Sequence, residues 1–188
     1  MQELAPLPPQ KKSSNKGLII VISLVAVVFL AVPCIGVLAA IAIPAFVGYL
    51  SRAKTAEAES NLSALFQGAA SYYDEEHYEP GGAMLTACAV GSATTPNIPS
   101  SGKSVLSPPL GEPFDALGFA PADPVYYRYE IVGVGGCGHT AGESLYSFRA
   151  SGDLDGDGAT SLFEISAGAS SDNVLMRAPG IYRQDELE

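Results

Sequence analysis

The run "IGVLAAIAIPAF", residues 35–46, is apolar throughout and helix-forming, yet it contains Pro44, and Pro33 stands two residues ahead of it. A proline removes one intrahelical hydrogen bond and presses on the preceding turn. Two of them in one helix call for surroundings that accept the distortion, as neighbouring helices in a membrane do. Working outward, the apolar stretch extends from Leu18 to Val47, thirty residues without a charge, against the ~20 needed to cross a bilayer. The apolar part of a secretory signal is only ~7 to 15 residues, so this stretch reads as a retained anchor. Lys11, Lys12 and Lys16 precede it, and Arg52 and Lys54 follow in company with Glu57 and Glu59. That bias modestly favours a cytoplasmic N-terminus.

Composition bounds the remainder. The 188 residues are 47% hydrophobic and only 16% charged, enough for one modest domain and one membrane segment. Seven basic against nineteen acidic residues follow residue 50, so the outer part should not bind nucleic acid or anionic lipid through bulk charge. Four regions result: a Pro-, Ser- and Lys-rich tail or leader over residues 1–17, expected to be disordered; a transmembrane helix over 18–50; its amphipathic continuation over 51–80; and a head over 81–188. The continuation rests on Leu62, Leu65, Phe66, Ala69 and Tyr73, spaced i, i+3, i+4, i+7 and i+11. The helix is expected to reach about His77 and to be ended by Pro80, Gly81 and Gly82.

Beyond Gly81 the chain turns to Gly, Pro, Ser and Thr, a loop with room for one short strand. In "VYYRYEIVGV", Val125, Tyr127, Tyr129 and Ile131 alternate with polar neighbours, and in "SLYSFRAS" Tyr146, Phe148 and Ala150 do the same. "SLFEIS" supplies a third strand, and the region near Ile181 offers a weak fourth. The expectation is an α+β fold in which an antiparallel sheet lays one face on the outer half of the helix.

The segment "GVLAAIAIPAFVGYLSRAKTAEAESNLSALFQGAASYY", residues 36–73, resembles the N-terminal helix of type IV pilins and the related pseudopilins. The small-residue run, the proline after it and the "RAK..EA..NL" continuation carry the likeness. The resemblance implies a long helix whose outer half packs on a four-stranded antiparallel sheet, and a helix locally melted around Pro44 when packed in a filament. It also implies a bacterial inner-membrane subunit with a periplasmic head. Its partners would be like subunits, through Gly36, Ala39, Ala40 and Ala42, and pilus or secretion assembly machinery. Lys16 and Gly17 before Leu18 imitate the family's cleavage junction. The family's glutamate has no match here, since Ile22 stands fifth from Leu18 and Val27 nine before Gly36. An uncleaved, membrane-anchored periplasmic binding module is therefore the second reading.

"DLDGDGATSLFE", residues 153–164, fits a twelve-residue calcium loop: Asp153, Asp155 and Asp157 at alternating positions, Gly158 at the turn, Ala159 offering a carbonyl, Ser161 a water-mediated ligand and Glu164 the terminal carboxylate. Calcium needs six to eight oxygens, and spaced carboxylates on a turning backbone can converge that many. Its flanks read as strands, so Glu164 falls on the returning strand, and a plain Asp/Gly hairpin turn stands as the alternative.

Cys88 and Cys137 lie in the outer part and can pair, whereas Cys34 reads as an apolar packing residue. Cys137 and His139 lack a second close pair for zinc. "GVGGCG", residues 133–138, matches a dinucleotide-binding spacing, but no helix start follows it, so it reads as a loop. "YYDEEHYEP", residues 72–80, reads as the solvated end of the helix. Nothing in the sequence argues for an enzyme.

Overall fold

The computed structural model describes residues 16–186. The expected tail falls almost wholly outside this range, except that Lys16 and Gly17 already belong to the first helix. In chain order the elements are α1 (Lys16–Asp74), β1 (His77–Tyr78), β2 (Met84–Leu85), β3 (Ala89–Thr94), α2 (Glu112–Ala116), β4 (Arg128–Gly136), β5 (Ser144–Gly152), β6 (Ser161–Ala169), β7 (Leu175–Arg177) and β8 (Tyr182–Gln184). The architecture is α+β, one long helix and a small antiparallel sheet.

The helix runs unbroken through Pro33 and Pro44. It stops at Asp74, three residues short of the expected end. His77 instead opens β1, which pairs with β2. Pro80, Gly81 and Gly82 thus belong to the turn of this small hairpin, closed by the Glu79 N–H on the Ala83 carbonyl at 3.0 Å and the Gly82 N–H on the Glu79 carbonyl at 2.8 Å.

By contact the chain divides at Phe46 into two compact units. In the first, α1 is long and apolar enough to cross a bilayer, and among the described residues none of that window is buried. In the second, a stripe of Ala58, Leu62, Leu65, Ala69 and Tyr73 is buried in one core with the sheet, which is the face the spacing predicts. Phe66 packs at its margin. The Asn61 amide donates to the Tyr129 hydroxyl at 2.6 Å, and the Tyr73 hydroxyl donates to Asn173 Oδ1 at 2.9 Å.

The main sheet runs β3-β4-β5-β6-β7, and β8 pairs β6 beside the segment that β7 leaves uncovered. Four strands are expected from sequence and six form. The three-residue β7 is too short to show an alternating pattern, and β3, "AVGSAT", lacks the branched and aromatic residues that signal a strand. Register explains the core: Ile131 lies opposite Phe148, and Phe148 opposite Ile165, while Tyr129, Ala150 and Phe163 make the adjacent row. All six are buried. Because side chains alternate across a strand, the intervening row of Glu130, Arg149 and Glu164 lines the open face.

Candidate functional site

The β5–β6 hairpin closes at Gly152 opposite Ser161, and residues 153–160 make its loop. Within it the loop folds on its own carboxylates. Asp153 Oδ1 accepts from the Gly156 N–H at 2.7 Å and its Oδ2 from the Gly158 N–H at 3.3 Å. Asp155 Oδ1 accepts from the Asp157 N–H at 3.2 Å, and Asp157 Oδ1 from the Ala159 N–H at 2.7 Å. These short side chains bond backbone donors two to five residues ahead, which turns the chain tightly. Gly156 and Gly158, at φ 83° and 93°, take the left-handed conformations that L side chains resist.

The consequence is convergence. One carboxylate oxygen from each of Asp153, Asp155 and Asp157 comes within 4.8 Å of the others. Asp153 is buried and the other two are exposed. Three like charges at that spacing repel unless a cation sits among them, and an all-oxygen set suits a hard ion. These three residues can hold a metal ion.

The structure gathers three of the six residues that the spacing nominates. Glu164 lies in β6, three residues beyond the hairpin mouth, and its Oε2 accepts from Arg149 Nε at 2.8 Å. The returning segment is a strand, and its period of two carries Glu164 to the open face and into an ion pair, outside the group of converging aspartates. Burial opposes the Glu164 charge, but the neighbouring Ser147 hydroxyl and the Arg149 guanidinium more than offset it and hold the carboxyl below its usual range. Ser161 is buried and donates to the Gly152 carbonyl at 3.2 Å. Ala159 engages the loop through its N–H.

Cys88 and Cys137 are joined, with an S–S distance of 2.02 Å. The bridge lies just outside the pairing of Ala89 with Gly136 and so closes one end of the β3–β4 ladder. Cys34 is free and exposed on α1. Gly36, Ala40, Ala42 and Pro44 are exposed on α1 and Ala39 is half-buried; a Cβ added at Gly36 would meet nothing within 4 Å. The "GVGGCG" run forms the end of β4 and the turn after it, with Gly135, Gly136 and Gly138 at positive φ. His77 lies on Tyr72, ring centroids 4.2 Å apart, with Nε2 2.8 Å from the Tyr72 carbonyl. Buried phenols mark the core: burial pushes the Tyr127 hydroxyl up to about 12, opposed by Ser161, and pushes that of Tyr146 up to about 12, opposed by the Val90 N–H.

No family model, curated protein or solved structure matches the chain.

Proposed function

We propose that this protein is a type IV pilin-like, membrane-anchored subunit. Residues 18–50 cross the bacterial inner membrane once, the N-terminus is cytoplasmic, and the head lies in the periplasm or on a filament surface. Assembly proceeds by lateral packing of α1 with like helices, Gly36, Ala39, Ala40 and Ala42 allowing close approach and Pro44 supplying the weak point. The observation that carries this reading is one continuous helix, Lys16–Asp74, that buries nothing along its apolar part and builds a core with its last third. A helix apolar on every side is stable only in lipid or among other helices. The Cys88–Cys137 disulfide supports a head outside the reducing cytoplasm.

The test is the mass of the N-terminal peptide from native cells, combined with recovery in sheared surface filaments. A chain beginning at Leu18 and present in filaments is the expected result. A chain beginning at Met1 and absent from filaments would establish the second reading, an uncleaved anchored module. Two observations favour that alternative: Ile22 and Val27 stand where an acidic residue would, and the Gly17–Leu18 bond lies within α1, not in an extended exposed segment.

The aspartate loop is read as a structural calcium site held by Asp153, Asp155 and Asp157, with the ion neutralising their repulsion and stiffening the hairpin. Chelation is expected to lower the melting temperature of the head by several degrees, as removal of any native-state ligand does. Asp155→Ala should abolish that response, and equal melting with and without chelator would leave a plain turn.

A further inference from the structure

The glycine run of residues 133–138 and the histidine that follows it have no part in the anchor or the aspartate loop. His139 sits in the β4–β5 connection, its side chain 15% exposed. Its Nδ1 lies 2.8 Å from Glu143 Oε2, and its Nε2 lies 3.2 Å from the Gly135 carbonyl oxygen. Both partners are acceptors. A neutral imidazole carries one N–H and satisfies only one of them, whereas the imidazolium carries two and satisfies both.

Glu143 does not resolve the conflict by taking a proton. Its Oε1 accepts from the Thr140 hydroxyl at 2.6 Å and from the Thr140 N–H at 3.1 Å. The Thr140 hydroxyl, the His139 ring and the Thr140 N–H, in that order, hold its carboxyl below the usual carboxylate range, so it stays ionised where imidazoles titrate. In the neutral ring the remaining proton stays on Nδ1, because hydrogen bonds to ionised acceptors are the stronger. Nε2 then turns a lone pair on the Gly135 carbonyl, and that contact becomes repulsive.

The surroundings decide which side yields. The His139 N–H donates to the Ala87 carbonyl and its carbonyl accepts from Asn173 Nδ2, each at 3.3 Å. The Glu143 carbonyl accepts from the Ala169 N–H at 2.9 Å, and the Cys88–Cys137 bridge holds the turn between β4 and His139. Gly135 and Gly136, at φ 66° and 86°, carry no side chain to pin them. The end of β4 therefore gives way. Besides Glu143, the titratable groups on the packed elements are the Tyr73 phenol of α1, which donates to Asn173 Oδ1, and the exposed Asp172 of the β6–β7 turn. Phenols and carboxylates ordinarily titrate outside the pH 5–8 window in which histidine changes charge.

We propose that His139 is a protonation-operated latch: charged, it clamps the glycine-rich end of β4 to Glu143, and neutral, it releases Gly135. The device belongs to the head alone and does not depend on the anchor reading. Acid closes it and alkali opens it.

The experiment is nitrogen NMR of the histidine rings, with amide hydrogen exchange, on the full chain in detergent micelles at about pH 5 and about pH 8, either side of the ordinary histidine range. The chain has two histidines, and His77→Gln assigns the signals. Both His139 nitrogens should carry protons at the lower pH, and Nδ1 alone at the higher. Exchange over residues 133–136, corrected for its intrinsic pH dependence, should be roughly three- to tenfold faster at the higher pH, the change expected for one lost hydrogen bond. Exchange over β6 should not change. In Glu143→Gln the side-chain amide donates to Nδ1, the ring proton moves to Nε2, and the latch should stay closed at both pH values. A proton on Nε2 at the higher pH in the natural chain overturns the latch, and so does equal exchange at both. Retention of the pH effect in His139→Gln would assign it to another group and overturn the latch as well. The ring nitrogens of the natural chain decide the matter even where a variant fails to fold.

Discussion

Residues 18–50 and residues 58–73 share one helix, and both are rich in apolar side chains, yet only the second segment is buried by its own chain. The difference lies in arrangement. In the second, Ala58, Leu62, Leu65, Ala69 and Tyr73 form a stripe separated by Glu59, Ser60, Ser63 and Gln67, and one sheet face suffices to cover it. In the first, apolar residues occupy every side, so no single partner within the chain can cover them. The stability of the head is therefore internal, and that of the apolar segment belongs to its surroundings. Perturbations that act on one region should leave the other untouched.

The largest separation is expected from the disulfide. Cys88 and Cys137 are 49 residues apart, and closing a loop of that size removes about 4 kcal/mol of unfolded-state entropy in the loop-closure treatment. Reduction of the detergent-solubilised chain should lower the stability of the head by that order, followed by tyrosine near-UV dichroism in denaturant. The helical signal of residues 18–50 should persist. A single transition in which both disappear together would show that the two regions are not independent.

Next comes a pair of identical substitutions. Leu65 is fully buried, whereas Leu38 is 67% exposed. Leu65→Ala should cost the head about 2–5 kcal/mol, and Leu38→Ala should stay within ~0.5 kcal/mol, on the range observed for core and surface truncations. If Leu38→Ala destabilises the head comparably, residues 18–50 have a partner in it.

Glycine sharpens the comparison further because the sign is expected to change. A Cβ at Gly68 would collide with the Leu117 carbonyl oxygen, so Gly68→Ala should destabilise the head by roughly 1–3 kcal/mol. A Cβ at Gly36 meets nothing in the isolated chain, and Gly36→Ala should favour the helix by about 1 kcal/mol. In a filament the same change should weaken subunit packing, because small residues set the helix approach. Helicity measured in micelles and filament yield measured in cells would then move in opposite directions.

The parts of the fold that could be read from sequence are those with a period. The helix stripe and the alternation through Val125, Tyr127, Tyr129 and Ile131 each report burial directly, since one face points to the core. α2 and β3 carry no such pattern: α2 is five residues long, and β3 is composed of small residues held by pairing with β4. In the hairpin loop the aspartate spacing gave the convergence of three carboxylates but not the fate of Glu164. That depended on strand register, which a local motif does not encode. The bonds that tie Tyr73, Asn173 and His139 together join residues far apart in sequence, and no spacing signals them.

The smallest effect concerns that displaced glutamate. Its carboxyl titrates below the usual carboxylate range in the folded head, so folding favours the ionised form. The resulting stabilisation is present above the unfolded-state value of about 4.3 and is lost as pH falls through the lower folded-state value. Arg149 is more than a third exposed, and pairs of this kind contribute at most about 1 kcal/mol after screening. Arg149→Met should therefore flatten the acid limb of head stability below pH 5 by a few tenths of a kcal/mol, and added salt should reproduce part of that flattening. Residues 18–50 carry no carboxylate or basic side chain, so their helicity should not change across the same range. An acid-dependent loss there would mean that the apolar segment depends on the charge state of the head, and the separation drawn between the two halves of α1 would fail.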